Sequence, residues 1–134
     1  MKQKSTEDYL RTAYFLYEKD KTKGIRSIDI AKELKISKPS VSEMIKKLVK
    51  KGLIKANPYS NIFLTKKGLT EARRVMHNHR VIEVFLKQIL KHDLSKVHQE
   101  AHRLEHAFSE SSINKLDDFL NHPKQSPAGK TIPH

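Results

Sequence analysis

The chain of 134 residues contains no cysteine and no tryptophan. Without cysteine there is no disulfide scaffold, no thiolate metal cluster and no thiol nucleophile. Only four glycines and five prolines supply turn chemistry, which leaves helices as the main building element. Long apolar runs are missing as well. The longest is Ala13–Tyr17, far short of the roughly 20 apolar residues that cross a bilayer. The opening stretch, MKQKSTEDYLRTAYFLYEKD, is interrupted by charge and does not read as a secretory signal. Together these absences predict a cytoplasmic protein without a membrane partner.

Acidic residues are scarce, 15 against 27 Lys and Arg, and the imbalance is lopsided. Residues 1–68 carry 17 basic and 7 acidic side chains, whereas residues 69–134 carry 10 and 8. All eight histidines lie from His77 onward. A cationic segment favours a polyanionic partner, because each phosphate that Lys or Arg neutralises releases counterions. Charge alone equally fits a basic, well-solvated surface. The length suits one compact unit or two small ones. At 37% hydrophobic residues, recurring along most of the chain, the sequence is not that of a disordered protein.

Local patterns predict a mainly helical fold. Leu10, Ala13, Leu16 and Tyr17 recur at helical spacing over Ser5–Lys19, with Ser5 as N-cap. A polar break over Asp20–Gly24 precedes a short helix, Ser27–Leu34, that turns Ile28, Ile30, Ala31 and Leu34 inward. A tight connection at Lys35–Ser37 leads into a third helix, Lys38–Lys51. Pro39 sits in its first turn, where its missing N–H costs nothing, and Gly52 follows its end. The period then changes. Leu53–Ala56 and Ile62–Thr65, separated by Asn57-Pro58-Tyr59-Ser60-Asn61, read as a small hairpin. Helical patterns return over Lys66 to about Leu90, Leu94–Ser109 and Ser111–Leu120. The tail from His122 holds three prolines and one glycine and reads as irregular.

Two short helices joined by a tight turn, followed by a hairpin, make a winged helix-turn-helix. Its second helix must offer an exposed face to a major groove. In SKPSVSEMIKK, residues 37–47, a buried stripe of Val41, Met44, Ile45 and (just beyond) Leu48 leaves Ser37, Lys38, Ser40, Ser42, Glu43, Lys46 and Lys47 outside. Small polar residues permit close approach to base edges, and lysines meet phosphates. The wing, with Lys55 and Tyr59, would follow the backbone. Winged helices also bind proteins, and Glu43 could simply pair with Lys47 at i,i+4.

The histidine-rich half has its own spacing. His98, His102 and His106 follow at successive i,i+4 positions with Glu105 beside the last, and His79 and Glu83 repeat i,i+4 on the preceding helix. Such spacing stacks side chains on one face, as metal-binding helices do. Imidazole and carboxylate without thiolate suit Fe(II), Mn(II), Co(II), Ni(II) or Zn(II). Each residue also has a plainer reading. Glu83 can pair with Lys87, Glu105 can be a solvated face residue, and Asp8 can complete a capping box after Ser5. His102-Arg103-Leu104-Glu105-His106 also matches the HxxEH zinc-peptidase motif. A peptidase needs a third ligand and a substrate cleft as well, and half of this chain is committed elsewhere.

The order of these blocks resembles the diphtheria toxin repressor family of metal-dependent transcriptional regulators, including its manganese-responsive branch. The blocks are TEDYLRTAYFL, IAKELKISKPSVSEMIKKL, FLTKKG, HRVIEVFL, VHQEAHRLEH and SPAGKTIP, and they cover nearly the whole chain. The resemblance implies an N-terminal winged helix-turn-helix DNA-binding domain over 1–70. A helical metal-binding and dimerisation domain over 71–121 and a Pro-containing tail over 122–134 follow it. It implies one metal site at Asp8, His102, Glu105 and His106 and a second at His79, Glu83 and His98. DNA contacts fall on Ser37, Pro39, Ser40, Ser42 and Glu43. The implied protein is a non-enzymatic repressor, a homodimer on a pseudo-palindromic operator that controls metal-homeostasis genes and takes no small organic substrate. Fe(II) or Mn(II) stands first as the metal, with Co(II), Ni(II) and Zn(II) as further ions such a site accepts. A metal-independent DNA-binding adaptor and, more remotely, a zinc hydrolase are the competing classes.

The chain also departs from the family pattern. Iron-type members have Met at the Asp8 position and Cys at the His102 position. Manganese-type members have Asp at the first and commonly Glu at the second, and some add a Glu where this chain has Arg11. His102 shifts the site toward borderline metals such as Fe(II), Co(II) or Zn(II), and Arg11 opposes a manganese-type binuclear cluster. Glu43 stands where iron-type relatives often carry Gln, so it would accept from cytosine N4. Many relatives continue into an SH3-like domain that is absent from this sequence, which is expected to be a short member or a truncation.

Overall fold

The computed structural model describes residues 5–56 and 61–134. It holds six helices and a two-stranded antiparallel sheet among those residues: α1 (Thr6–Lys19), α2 (Ser27–Leu34), α3 (Lys38–Lys50), β1 (Ile54–Ala56), β2 (Ile62–Leu64), α4 (Lys66–Gln88), α5 (Leu94–Glu105) and α6 (Glu110–Phe119). The chain divides into two compact units, residues 1–75 and 76–134.

In the first unit, α1 starts with a full capping box. The Ser5 hydroxyl accepts from the Asp8 N–H at 3.1 Å, and the Asp8 carboxylate accepts from the Ser5 N–H at 2.9 Å. α1 packs on α2 and α3, with Tyr9, Leu10, Ala13 and Tyr14 buried. Lys35 ends α2 in the left-handed region, φ 55°, and the Ile36 N–H reaches back to the Ala31 carbonyl. That turn swings the chain into α3, whose Val41, Met44 and Leu48 are buried. Ile45 and Ile28, expected inward, are only half-buried.

The hairpin pairs Ile54 with Leu64 and Ala56 with Ile62. A third segment joins it that the sequence pattern does not announce. Ile25 exchanges two 2.7 Å backbone hydrogen bonds with Ile62, so the loop before α2 completes the sheet edge. Most of the predicted turn, residues 57–60 with Tyr59, lies outside the described residues. Thr65 then starts α4: its hydroxyl accepts from the Gly68 N–H at 3.0 Å and donates to the Gly52 carbonyl at 2.6 Å.

In the second unit, Ile82 and Leu86 of α4, Val97 and Ala101 of α5 and Ile113 of α6 form the core. α5 stops at Glu105, four residues before its expected end, because Ser109 caps α6 by accepting from the Ser112 N–H. The tail is ordered, contrary to its irregular composition. Gln125 pairs with Thr131 around a turn at Gly129, and Ile132 is buried against Val81 and Val84. Removing one Ile side chain from water favours this docking by about 2 kcal/mol. The buried Arg80 donates to the Thr131 carbonyl at 2.7 Å. No helix among the described residues is long and apolar enough to cross a membrane.

Gly68 marks the tightest junction, since a Cβ there would overlap the Leu53 carbonyl. Gly68→Ala is expected to lower the stability of the first unit by about 1–3 kcal/mol, measured by urea denaturation. An unchanged midpoint would show that the hairpin moves aside without cost.

Candidate metal centres and DNA-reading face

The first turn of α3 is organised by Ser37. Its hydroxyl accepts from the Ser40 N–H at 3.3 Å and lies 2.8 Å from the Ser40 hydroxyl. Ser37, Lys38, Pro39, Ser40, Ser42, Glu43, Lys46 and Lys47 are all exposed, as is Lys55 on β1. They leave one polar, cationic face on a helix whose opposite face is core. Tyr9 of α1 ties into the same turn, its hydroxyl donating to the Ser40 carbonyl at 3.4 Å. Burial, then the neighbouring Asp8 charge, push the Tyr9 hydroxyl above its usual pKa and keep it a donor.

Asp8 has two neighbours in its own helix. One oxygen completes the capping box and the other faces Arg11 at 3.8 Å. The capping reading of Asp8 is therefore realised, and Arg11 occupies the position where some relatives would add a ligand.

In the second unit, α4 and α5 bring His79, Glu83 and His98 together, with one donor atom from each inside a 4.8 Å group. His79 Nε2 lies 3.1 Å from His98 Nδ1 and 3.6 Å from a Glu83 oxygen. His98 Nδ1 is 3.9 Å from the other Glu83 oxygen. The opposite ring nitrogen, His79 Nδ1, is 2.8 Å from Glu105. A carboxylate only accepts, so Nδ1 carries the proton, and in the neutral ring Nε2, which faces His98 and Glu83, is the nitrogen left to bind a cation. Metal-binding histidines are oriented in this way, with the remote N–H held by a carboxylate.

Glu105 stands at the centre of the α5 residues. Its second oxygen is 3.5 Å from His102 Nδ1 and 3.8 Å from His106 Nε2. The Glu105 side chain is only 4% exposed, so it is not a solvated face residue. The His102 and His106 rings meet edge-on at 5.4 Å. Expected as two separate ligand sets, these residues are joined inside the second unit through the His79–Glu105 hydrogen bond. A further grouping places His77, His122 and His134 around Asp117. Its members lie up to 57 positions apart in the sequence, and no helical spacing signals them.

Residues 1–62 match the family model described as "Iron dependent repressor, N-terminal DNA binding domain". Residues 65–134 match "Iron dependent repressor, metal binding and dimerisation domain". The chain belongs to the iron-dependent repressor family. Within it, the chain is 37% identical over 116 residues to an HTH-type transcriptional regulator of Methanocaldococcus jannaschii, covering 87% of this chain and 92% of that one. It is also 37% identical over 131 residues to the diphtheria toxin repressor of Corynebacterium glutamicum, covering 96% of this chain and 56% of that protein. Among solved structures, the manganese regulator SloR superposes with a TM-score of 0.85 at 41% identity, over all of this chain and 61% of SloR. The chain thus spans little more than half of several family members and nearly all of the archaeal one.

The His79–Glu105 pair carries an energetic consequence. With chelator present, His79→Ala is expected to destabilise the second unit by about 3 kcal/mol, because it removes a hydrogen bond to a charged group and leaves a desolvated carboxylate. Thermal unfolding followed by circular dichroism measures this. A shift within error of zero would mean that solvent repairs the gap.

Proposed function

We propose that this chain is a metal-dependent transcriptional repressor of metal-homeostasis genes, acting in the cytoplasm as a homodimer on a pseudo-palindromic operator. It is a regulator and not an enzyme. The observation that carries this reading is the pairing, in one chain, of an exposed cationic α3 face with imidazoles and carboxylates that converge between α4 and α5. Residues 1–70 are assigned to DNA binding, 71–121 to metal binding and dimerisation, and 122–134 to a tail.

The donor set fits a divalent transition metal. His79, Glu83 and His98 each place one potential donor atom in one small volume, and the remote N–H of His79 is held by Glu105. They form one proposed site. Asp8, His102, Glu105 and His106 are assigned to the other on ligand chemistry and family resemblance. Fe(II) or Mn(II) is the proposed physiological ion, and Co(II), Ni(II) or Zn(II) would also suit these donors. A bound divalent cation supplies concentrated positive charge and fixed ligand directions.

Asp8 is what makes the set regulatory. It lies in α1, one residue before Tyr9, and Tyr9 holds the first turn of α3. By sharing one metal ion with His102, Glu105 and His106, Asp8 would restrict α1 and, through Tyr9, the reading helix. In a twofold dimer that restriction sets the spacing of two α3 helices, which must enter grooves about one helical turn apart. Activation requires the ligand set to favour the DNA-competent arrangement, since only differential affinity shifts an equilibrium. Ser37, Ser40, Ser42 and Glu43 are assigned to base edges, with Pro39 packed close to the DNA. Lys38, Lys46 and Lys47 are assigned to phosphates.

His106→Ala is expected to abolish metal-stimulated operator binding while weak non-specific binding persists. Titration of a palindromic promoter fragment with and without Fe(II), Mn(II), Co(II) and Zn(II) measures this, and a full metal response in the variant would defeat the sensor assignment. Ser40→Ala with Lys46→Ala should weaken operator binding and flatten its salt dependence by about one unit of slope for the lost phosphate contact. Metal uptake should be unaltered. Unchanged affinity in that variant would move the reading surface elsewhere.

A further inference from the structure

His77 of α4, Asp117 of α6 and His134 of the tail each offer one donor atom within a 4.8 Å group. None of them belongs to the ligand sets described above. The hydrogen bonds around them place a proton on Nδ1 of His77. The Asn78 amide nitrogen donates to the Glu110 carboxylate at 2.9 Å, so the Asn78 oxygen is the atom that faces His77 Nδ1 at 3.0 Å. That oxygen accepts, and Nδ1 therefore carries the proton. In the neutral ring, Nε2, 3.4 Å from Asp117 Oδ2, is the atom left to bind a cation. His134 Nε2 stands 3.6 Å from the other Asp117 oxygen, which is buried without a hydrogen bond.

These separations are long for hydrogen bonds to a carboxylate. They lie close to the donor–donor spacing of roughly 3.4 Å around a cation whose bonds are about 2.1 Å, each imidazole facing its own oxygen of the one carboxylate. The shorter contact has a different character. His122 Nδ1 lies 3.0 Å from Asp117 Oδ2 and its Nε2 3.1 Å from Asp118, so His122 bridges the two carboxylates. It reaches them from a left-handed backbone, φ 61° at Asn121 and 51° at His122, a conformation that costs side-chain-bearing residues energy. Burial works to raise the Asp117 carboxyl, but the surrounding imidazoles of His122, His77 and His134 outweigh it and hold it below its ordinary value. The Asp117 carboxylate is thus oriented by a neighbour.

We propose that His77, Asp117 and His134 form a third divalent-metal site, which clasps the tail onto α4 and α6. Two imidazoles and one carboxylate leave a fourth position for water, a donor set suited to Zn(II) and, as a spectroscopic probe, Co(II). Asn78 and His122 act as positioning residues, one setting the tautomer of His77 and the other turning Asp117. The site is independent of the regulatory reading, because it shares no ligand with Asp8, His79 or His106.

The full chain and its His134→Ala and Asp117→Asn variants can be equilibrated with Zn(II) or Co(II) and their bound metal counted. His134 lies at an exposed position, so its replacement leaves the fold intact even if Asp117→Asn does not. Each variant is expected to bind one equivalent fewer than the parent and to lose one set of four-coordinate Co(II) absorption bands. The same loss is expected when His134→Ala is introduced into a His106→Ala background. At free Zn(II) near ten times its Kd, tryptic cleavage after Lys130 should slow about tenfold in the parent and not at all in His134→Ala. Equal stoichiometry in parent and His134→Ala, or cleavage indifferent to Zn(II) in both, would overturn the site.

Discussion

The 2.8 Å hydrogen bond between His79 and Glu105 is the contact on which the chemistry of the second unit turns. It places a proton on Nδ1 of a buried imidazole and leaves Nε2 as the one nitrogen that a neutral His79 can offer a cation. That nitrogen faces His98 and Glu83, while the other Glu105 oxygen faces His102 and His106. A buried carboxylate and imidazole without such partners would be costly. The pairing makes their burial tolerable.

α4 has to serve several neighbours at once. Ile82 and Leu86 face the α5–α6 core, Val81 and Val84 meet Ile132, and Arg80 holds the Thr131 carbonyl. Between them lie His79 and Glu83 on one side and His77 and Asn78 on another. The part of a helix engaged on so many sides cannot rotate to improve one contact without spoiling another, since packed interiors yield little. The same rigidity holds imidazoles at distances suited to metals. In the first unit, the Tyr9–Ser40 hydrogen bond gives α1 a comparable hold on the reading helix.

Several residues acquired meanings that spacing could not assign. Asp8 does cap α1, and a cap does not forbid a ligand role, because one carboxylate can serve both. Glu105 read equally as solvent-facing or inward until α4 was packed against α5. The HxxEH match looks different in this setting: Glu105 is engaged by His79, which suits a ligand better than a base poised over water. The chain also belongs to a repressor family.

The sequence by itself determined the elements and their faces. Helical periodicity placed Val41, Met44 and Leu48 inward and the serines and lysines of α3 outward, and i,i+4 spacing put His79 with Glu83 and His98 with His102 and His106. Ser5, Pro39 and Gly52 marked element ends through local backbone chemistry. Such properties depend on residues within a few positions of each other, so a single chain displays them. Only the tertiary structure decided which faces meet. The joining of His79 to Glu105, the pairing of Ile25 with Ile62, the docking of Ile132 and the gathering of three histidines around Asp117 all link distant segments. Those contacts depend on how helices pack and where loops return, which local periodicity does not encode.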